Sequence, residues 1–260
     1  MSSASRTEPA AAGDAVIQLE DVAKRYTVTN LAGLGAKNLL VHPGRTLRAL
    51  RSARQHTALD GVSLRVARGE CLGVIGRNGS GKSTLLGLVA GVLRPSAGRV
   101  SVRGRVCPLL ELGAGFHHEL SGIENAILNG VLLGLPRREV VARLDQILEF
   151  AELGDFVDRP LRMYSSGMVA RLGFSVAVHV DPDVLLLDEV LAVGDERFRA
   201  KCQAKMAEFR ARGVTMFFVS HAMETVLEVS TRVAWLAAGK LEALGAPAEV
   251  VGRYREANRP

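Results

Sequence analysis

GRNGSGKST, residues 76–84, follows the apolar run CLGVI (71–75) and leads into KSTLLGLVAGVL (82–93), whose composition favours a helix. The stretch matches the pattern G-x-x-x-x-G-K-[ST] between a strand and a helix, which is the context that this pattern requires. Its glycines let backbone N–H groups wrap a phosphate chain. Lys82 would supply a positive charge for the terminal phosphates, and the Ser83 hydroxyl is suited to ligate Mg²⁺. The sequence therefore predicts a phosphate-binding loop.

A second signal lies at the end of another apolar strand, VLLLD (184–188), in the stretch VLLLDEVLAVGDE. Asp188 and Glu189 are adjacent carboxylates, and they point to opposite faces because strand residues alternate. A bound Mg²⁺ would compensate the cost of burying the Asp188 charge. Glu189 would then orient or deprotonate an attacking water. The alternative is an ordinary strand end that emerges into solvent, and the presence of the phosphate loop favours the catalytic interpretation.

A third signal is His221, which ends the apolar stretch FFVSH (217–221). Ligands of parallel α/β sheets bind at the carboxyl ends of the strands, so His221 should lie on the rim that carries the phosphate loop. We therefore expect His221 to contact the γ-phosphate of a nucleotide. A purely structural histidine is the alternative.

The order of the predicted elements indicates an α/β protein. Short strands, beginning with VIQL (16–19) and VSLRV (62–66), alternate with helical segments, and a helix-rich stretch runs from about residue 119 to 180. The segment 137–153 places apolar residues on one helical stripe, namely Val140, Val141, Leu144, Ile147, Leu148 and Ala151. The pattern predicts a parallel α/β core with a helical insertion, RVSVRG (99–104) as an edge strand and RVAWL (232–236) as the last strand.

The composition is that of one globular unit with a modest basic excess. The chain has 260 residues, 48% of them hydrophobic, and a formal net charge of +6. This excess fits a phosphate ligand, nucleic acid or an anionic membrane surface, and fits a slightly basic protein without these ligands equally well. No apolar run is long enough for a membrane span, and the N-terminal MSSASRTEPAAAGD lacks the apolar centre of a signal peptide. Three widely spaced cysteines indicate reduced thiols in a cytosolic protein.

Residues 27–57 interrupt the alternation of strands and helices. Arginines recur there at every third position, at Arg45, Arg48, Arg51 and Arg54. The spacing indicates a short basic amphipathic helix that contacts anionic lipid headgroups or a membrane partner. A solvated surface helix is the alternative.

The three motifs, in this order, resemble those of the ATP-binding-cassette (ABC) ATPases, with GRNGSGKST as the Walker A loop, VLLLDE as Walker B and His221 as the switch histidine. The resemblance implies an α/β P-loop NTPase with a RecA-like parallel core sheet, an antiparallel β edge and a helical subdomain, and implies ATP and Mg²⁺ as its ligands. It implies catalytic roles for Lys82, Glu189 and His221. The Walker A residues that it assigns to nucleotide binding are Gly76, Asn78, Gly79, Ser80, Gly81, Lys82, Ser83 and Thr84.

The same resemblance divides the chain into segments. A disordered tail (1–15) precedes a nucleotide-binding domain (16–250), which carries an insertion (27–57) and the helical subdomain (about 119–180), and a C-terminal tail (251–260) follows.

YSSGM, residues 164–168, stands where ABC ATPases carry their signature sequence, usually LSGGQ. A helix start with bare backbone and hydroxyls favours an anion. By resemblance, two copies face each other head to tail, and Ser165 with the Gly167 N–H would hold ATP that is bound to the partner subunit. The alternative for Ser165 is a plain helix N-cap.

Departures from the common family pattern indicate a subgroup. LLELGAGF, LSGIEN, YSSGM and DEVLAVGD together look like the exporters of bacterial cell-surface polysaccharides, which include O-antigen, capsule and teichoic-acid transporters. Within that resemblance Glu111 replaces the glutamine that links Mg²⁺ to the membrane partner. Asp195 corresponds to an aspartate at the dimer interface, and Tyr26 would stack on adenine, unless it is a strand-end tyrosine without a ligand.

The resemblance implies the ATPase subunit of an exporter for lipid-linked polysaccharide or teichoic acid. Two copies would bind peripherally to an integral membrane permease that carries the glycan, at the cytoplasmic face of the inner membrane, without nucleic acid. The chain leaves no room for the C-terminal glycan-binding domain that several members carry, so we expect a short subunit or glycan selection elsewhere. The alternatives are the ATPase of an importer or of a lipid or drug exporter, a soluble non-transport ABC ATPase, and a non-hydrolysing nucleotide-binding module.

Overall fold

The computed structural model of the chain describes residues 15–28, 54–109, 112–188 and 194–259. Several predictions lie outside the described residues. They are the N-terminal tail up to residue 14, most of the predicted insertion with Arg45, Arg48 and Arg51, the magnesium candidate Glu111 and the catalytic candidate Glu189.

Three strands form an antiparallel sheet in the order β2-β1-β4. The strands are β1 (Ala15–Val28), β2 (Arg54–Ala67) and β4 (Ala97–Val102). Ile17, Leu19 and Val22 of β1 are buried because one face of the sheet packs on the core. β4 is an edge strand, as its alternation predicted. β1 and β2 are much longer than the predicted strands 16–19 and 62–66, because they pair with each other as far as Val28 and Arg54.

Six strands form the second sheet, in the order β5-β6-β7-β3-β8-β9. The strands are β3 (Cys71–Ile75), β5 (Val106–Leu109), β6 (Val184–Asp188), β7 (Thr215–Val219), β8 (Arg232–Ala237) and β9 (Lys240–Gly245). β5, β6, β7, β3 and β8 pair in parallel, whereas β9 pairs antiparallel with β8. The predicted parallel core is confirmed. RVAWL was wrong as the last strand, since β9 follows it after a tight turn.

The second sheet is buried on both faces. Leu72 and Val74 of β3 belong to one hydrophobic cluster, whereas Cys71 and Ile75 belong to another. β6 and β7 divide their alternate residues between the same two clusters. A strand covered on both faces needs apolar side chains at every position, which is why these strands are continuous apolar runs.

Four helices accompany the sheets within the described ranges. They are α1 (Lys82–Val89), α6 (Glu196–Ala211), α7 (Met223–Val229) and α8 (Pro247–Ala257). The domain boundaries remain predictions, but the boundary placed at residue 250 falls inside α8, so the first part of the predicted C-terminal tail is helical. None of the helices in the described part of the chain is both long and apolar enough to span a membrane.

The predicted helical middle contains α2 (Gly122–Leu132), α3 (Arg137–Ala142), α4 (Leu144–Ala151) and α5 (Ser166–Val178), with 3₁₀ turns at Gly154–Phe156 and Leu161–Met163. The single helix predicted for 137–153 is two helices, because the chain turns at Arg143 (φ −104°). Val140, Ile147 and Ala151 of the predicted stripe are buried, whereas Val141, at the edge of the stripe, is 43% exposed.

All three cysteines are free and buried. Burial raises the pKa of Cys71, Cys107 and Cys202 to about 12. The thiols therefore stay protonated at neutral pH.

Asn125 fixes the loop that leads into α2. Its side chain is fully buried, accepts a hydrogen bond from the His117 N–H (2.7 Å), and donates to the carbonyls of His117, Leu120 and Ser121 (2.9–3.0 Å). The start of α2 is closed by a capping box, in which Ser121 and Glu124 satisfy each other's backbone N–H groups.

Replacing Asn125 with Ala should lower the free energy of unfolding by about 2 kcal/mol, because several backbone groups of the loop lose their partner at once. Urea denaturation measures the loss. Asn258→Ala is the matched control, since the exposed Asn258 side chain donates to the Tyr254 carbonyl of its own helix. We expect that control to change stability by less than about 0.5 kcal/mol. Equal effects of the two substitutions would contradict the role given to Asn125.

Candidate functional site

The phosphate loop joins the buried strand β3 to α1, as predicted. Lys82 is the first residue of α1 and is 6% exposed. Its Nζ donates to the carbonyl oxygens of Gly76 (2.8 Å) and Arg77 (3.0 Å), so the ammonium group is held against the turn of the loop. Gly81 at the N-cap offers no side-chain acceptor. The first N–H groups of α1 and the Lys82 charge thus concentrate positive potential at one point.

The loop requires glycine at Gly81 for two reasons. Its φ is +105°, which side-chain-bearing residues rarely adopt. A Cβ there would also lie 2.5 Å from the Ala58 carbonyl oxygen and 2.7 Å from Leu59 Cδ2, both in β2. The three-stranded sheet therefore lies directly against the phosphate loop.

The carboxyl ends of three neighbouring parallel strands converge beside this loop. Asp188, at the end of β6, pairs in register with Val219, at the end of β7. The Ser220 N–H donates to the Val74 carbonyl of β3 (3.4 Å), which aligns the residue before His221 with the strand that enters the loop. The order β6-β7-β3 thus places Asp188, His221 and the loop along one rim.

A pocket of about 370 Å³ opens between this rim and the three-stranded sheet. It brings together most of the predicted site residues that the structure describes. Its lining consists of Tyr26, His56, Ala58, Asn78, Gly79, Gly81, Lys82, Ser83, Thr84, Asp188, Val219 and His221.

Tyr26 reaches this pocket from β1. Its hydroxyl lies 3.4 Å from the Thr84 hydroxyl of α1, and the Lys24 ammonium lies 5.2 Å from the centre of its ring. Lys24 is itself fixed by donation to the Arg94 carbonyl (2.9 Å). The aromatic ring is therefore held at the side of the pocket that belongs to the three-stranded sheet.

The pocket suits Mg²⁺ together with a phosphate ligand. Within the described ranges, no three His, Cys, Asp or Glu side chains cluster so as to hold a metal ion. The Ser83 hydroxyl and the Asp188 carboxylate nevertheless share the pocket. Mg²⁺ commonly uses one or two protein oxygens and completes its shell with phosphate oxygens and waters. The Ser83 and Asp188 oxygens therefore fit a Mg²⁺ ion that is bound together with a phosphate ligand.

Gly76 and Ser80, which were also predicted to bind the nucleotide, do not line this pocket. Gly76 contributes its carbonyl oxygen to Lys82 and does not itself line the pocket. Ser80 is buried and lines a second cavity of about 320 Å³, between the loop, the end of β8 and Asn258. Its hydroxyl has no hydrogen-bond partner among the described residues.

The predicted signature segment, 164–168, leads into α5. None of its residues lines the pocket. Ser165 is the N-cap of α5, and its Oγ accepts a hydrogen bond from the Met168 N–H (3.2 Å). In a single chain, Ser165 therefore has the role of the predicted alternative, a helix N-cap. Tyr164 anchors the segment by donating to the Phe156 carbonyl (2.7 Å), and burial raises the pKa of its hydroxyl. The start of α5 thus lies outside the lining of the pocket at the phosphate loop of the same chain.

Arg171 of α5 forms an ion pair with Asp195, the residue just before α6 (2.6 Å). Asp195 also accepts the Phe198 N–H (2.9 Å) as the N-cap of α6, and the Arg171 guanidinium lies 5.1 Å from the centre of the Phe198 ring. The Phe198 N–H and, to a lesser degree, Arg171 lower the pKa of Asp195. The helix α5 is thus tied through Arg171 to Asp195 at the start of α6, a link that the sequence did not predict.

Comparison with known proteins identifies the family to which this chain belongs. Residues 59–192, more than half of the chain, match the ABC transporter family. The chain belongs to this family. The expectation drawn from the Walker A, Walker B and switch motifs is confirmed at the level of family and fold.

Two relatives place this ABC protein among export ATPases. It is 49% identical to the O-antigen export system ATP-binding protein RfbB of Klebsiella pneumoniae, over 93% of this chain and 98% of the relative. It is 41% identical to the teichoic acids export ATP-binding protein TagH of Bacillus cereus, over 92% of this chain and 42% of the relative. The predicted subgroup is confirmed.

A solved structure with the same fold is a dimeric, post-hydrolysis state of the ATP-binding cassette MJ0796 with bound ADP and Pi. It has a TM-score of 0.68 and 20% identity, and the match covers 89% of this ABC protein and 98% of that chain. At this identity the likeness concerns the fold alone.

His56, Ala58 and Val219 line the pocket but were not predicted. The alternation of VSLRV placed the second strand only from residue 62, so His56 and Ala58 were assigned to the insertion or to the segment after it. The pairing of β1 with β2 is the signal that would have found them.

Gly81→Ala should lower the free energy of unfolding by about 2–4 kcal/mol, since it combines a left-handed backbone with a backbone clash. Gly134→Ala is the matched control, because Gly134 has a similar φ (+97°) but nothing within 4 Å of the position that a Cβ would take. We expect about 1 kcal/mol for the control, from backbone strain alone. Chemical denaturation of both variants checks the difference. Equal losses of stability in the two variants would mean that the contact with β2 does not constrain the loop at Gly81.

Proposed function

We propose that this ABC protein is the ATP-hydrolysing subunit of an exporter that moves lipid-linked cell-surface polysaccharide or teichoic acid across the cytoplasmic membrane. The observation that carries the proposal is the 49% identity to an O-antigen export ATP-binding protein over nearly the whole of both chains. The pocket supports it, because one cleft gathers a phosphate loop, a strand-end carboxylate, a histidine and an aromatic ring.

The geometry of the loop supports phosphate binding. The Lys82 ammonium is fixed against the Gly76 and Arg77 carbonyls, so its charge is in place before a ligand arrives. Backbone N–H groups from Gly79 to Ser83 would complete the cradle for the β- and γ-phosphates. Positioned charge of this kind stabilises the transferring phosphoryl group without reorganisation at the moment of reaction.

The remaining roles divide among the strand ends. Ser83 and Asp188 would hold Mg²⁺, which when bound neutralises charge on the phosphate oxygens. Glu189, directly after Asp188 in the sequence, would orient the attacking water and take its proton. His221 lines the same pocket from the end of the neighbouring strand and would hydrogen-bond the γ-phosphate. Glu111 is assigned a role at the metal by resemblance alone.

A second copy of the chain would complete the site. Ser165 and Gly167 stand at an exposed or half-buried helix start outside their own pocket, and a Cβ on Gly167 would meet nothing closer than 3.8 Å. An approaching phosphate can therefore reach the N–H groups of α5. Two chains arranged head to tail would each offer this helix start to the ATP held by the other.

Coupling to transport would come from a permease. Relatives of this protein are ATP-binding components of export systems, and such a component needs a membrane subunit to provide the path. We place the dimer peripherally on the cytoplasmic side of that permease, where ATP is available. The permease would carry the lipid-linked glycan.

Lys82→Ala should reduce ATP turnover by about 100-fold or more, because the fixed charge at the phosphates is lost. In cells that carry this variant as the sole copy, lipid-linked glycan should accumulate inside and surface glycan should disappear. ATPase assays and surface-glycan staining measure the two effects. Lys240→Ala is the control, since Lys240 is exposed and forms an ion pair with Asp60 (3.5 Å) away from the pocket. Normal surface glycan in the Lys82→Ala cells, despite lost ATPase activity, would contradict the proposal.

A further inference from the structure

His56 and Tyr26 form a cross-strand pair in the antiparallel ladder of β1 and β2. Residues directly opposite each other in such a ladder project their side chains to the same face. Both residues line the pocket of the phosphate loop. His56 is exposed in this structure, so its imidazole is open to a ligand.

The two walls of the pocket come from different sheets. The six-stranded sheet supplies the phosphate loop, Asp188 and His221, which are the groups suited to phosphate and metal. The three-stranded sheet supplies Tyr26, His56 and Ala58, which are two planar rings and a methyl group. A nucleotide whose phosphates are held by the first wall has its base and ribose left for the second.

His56 has the chemistry that a nucleoside needs. A neutral imidazole has one N–H donor and one nitrogen acceptor, and its flat ring packs against a planar base. Tyr26 contacts Thr84 and Lys24 and provides one side of this part of the pocket. His56, opposite Tyr26 on the neighbouring strand, can provide a second contact on the same part of the ligand.

We propose that His56 is a nucleotide-binding residue that contacts the base and ribose of ATP, beside Tyr26, and does not contact the phosphates. The inference rests on the proposed function, because it presumes ATP in this pocket. It assigns a ligand contact to a residue that lies within the predicted insertion, 27–57, and that no motif marks.

The test separates the nucleoside from the phosphates. Binding of ADP and of inorganic tripolyphosphate, each with Mg²⁺, is measured by calorimetry on the full-length chain and on His56→Ala. We expect the Kd for ADP to rise roughly 3- to 10-fold, as the loss of one polar or stacking contact predicts. The Kd for tripolyphosphate should stay within about twofold, which also shows that the variant is folded.

Thr57→Ala is the matched control. Thr57 is the next residue of β2, pairs with Arg25, and points to the opposite face of the strand. It should change neither Kd. An unchanged ADP affinity in His56→Ala, or an equal loss for both ligands, would overturn the inference while the proposed function stands. If the unaltered chain bound neither ADP nor tripolyphosphate, the proposed function itself would fail.

Discussion

The placement of one positive charge underlies the rest of this site. The Lys82 ammonium is almost fully buried and is held by two carbonyl oxygens of its own loop. Burial of that charge is tolerated because those carbonyls solvate it, and a phosphate chain would add the opposite charge. The loop keeps its shape because β3 enters it, α1 leaves it, and β2 lies so close that residue 81 must be glycine. Asp188 and His221 line the same pocket as this charge, so they can act on the same ligand.

Local sequence was sufficient for the features that are local or that follow from sheet geometry. The phosphate loop is contiguous, and apolar strands that end in Asp188 or before His221 must deliver those residues to the same rim once the sheet is parallel. Features that depend on pairing between distant segments could not be predicted from the sequence. His56 enters the pocket through its register with Tyr26, and Arg171 meets Asp195 through packing of α5 beside α6. The strand β9 pairs with β8 across the turn at Ala238 and Gly239, a local hairpin signal that the prediction overlooked.

The link between Arg171 and Asp195 connects two parts of the proposed two-chain site. Ser165 starts the helix that we propose to serve the nucleotide of the partner. Asp195 begins the helix that follows the Asp188 strand of the same chain. The ion pair and the contact with the Phe198 ring fix the two helices relative to each other.

The central claim is that ATP is enclosed between two copies of this chain, with Ser165 of one copy at the nucleotide of the other. The most direct measurement is the molar mass of the Glu189→Gln variant in saturating Mg-ATP, by light scattering, with and without an added Ser165→Arg substitution. The account predicts a dimer of the 27.8 kDa chain that forms with ATP and is abolished by Ser165→Arg. A chain that stays monomeric with ATP, or a dimer that is indifferent to arginine at position 165, would contradict it.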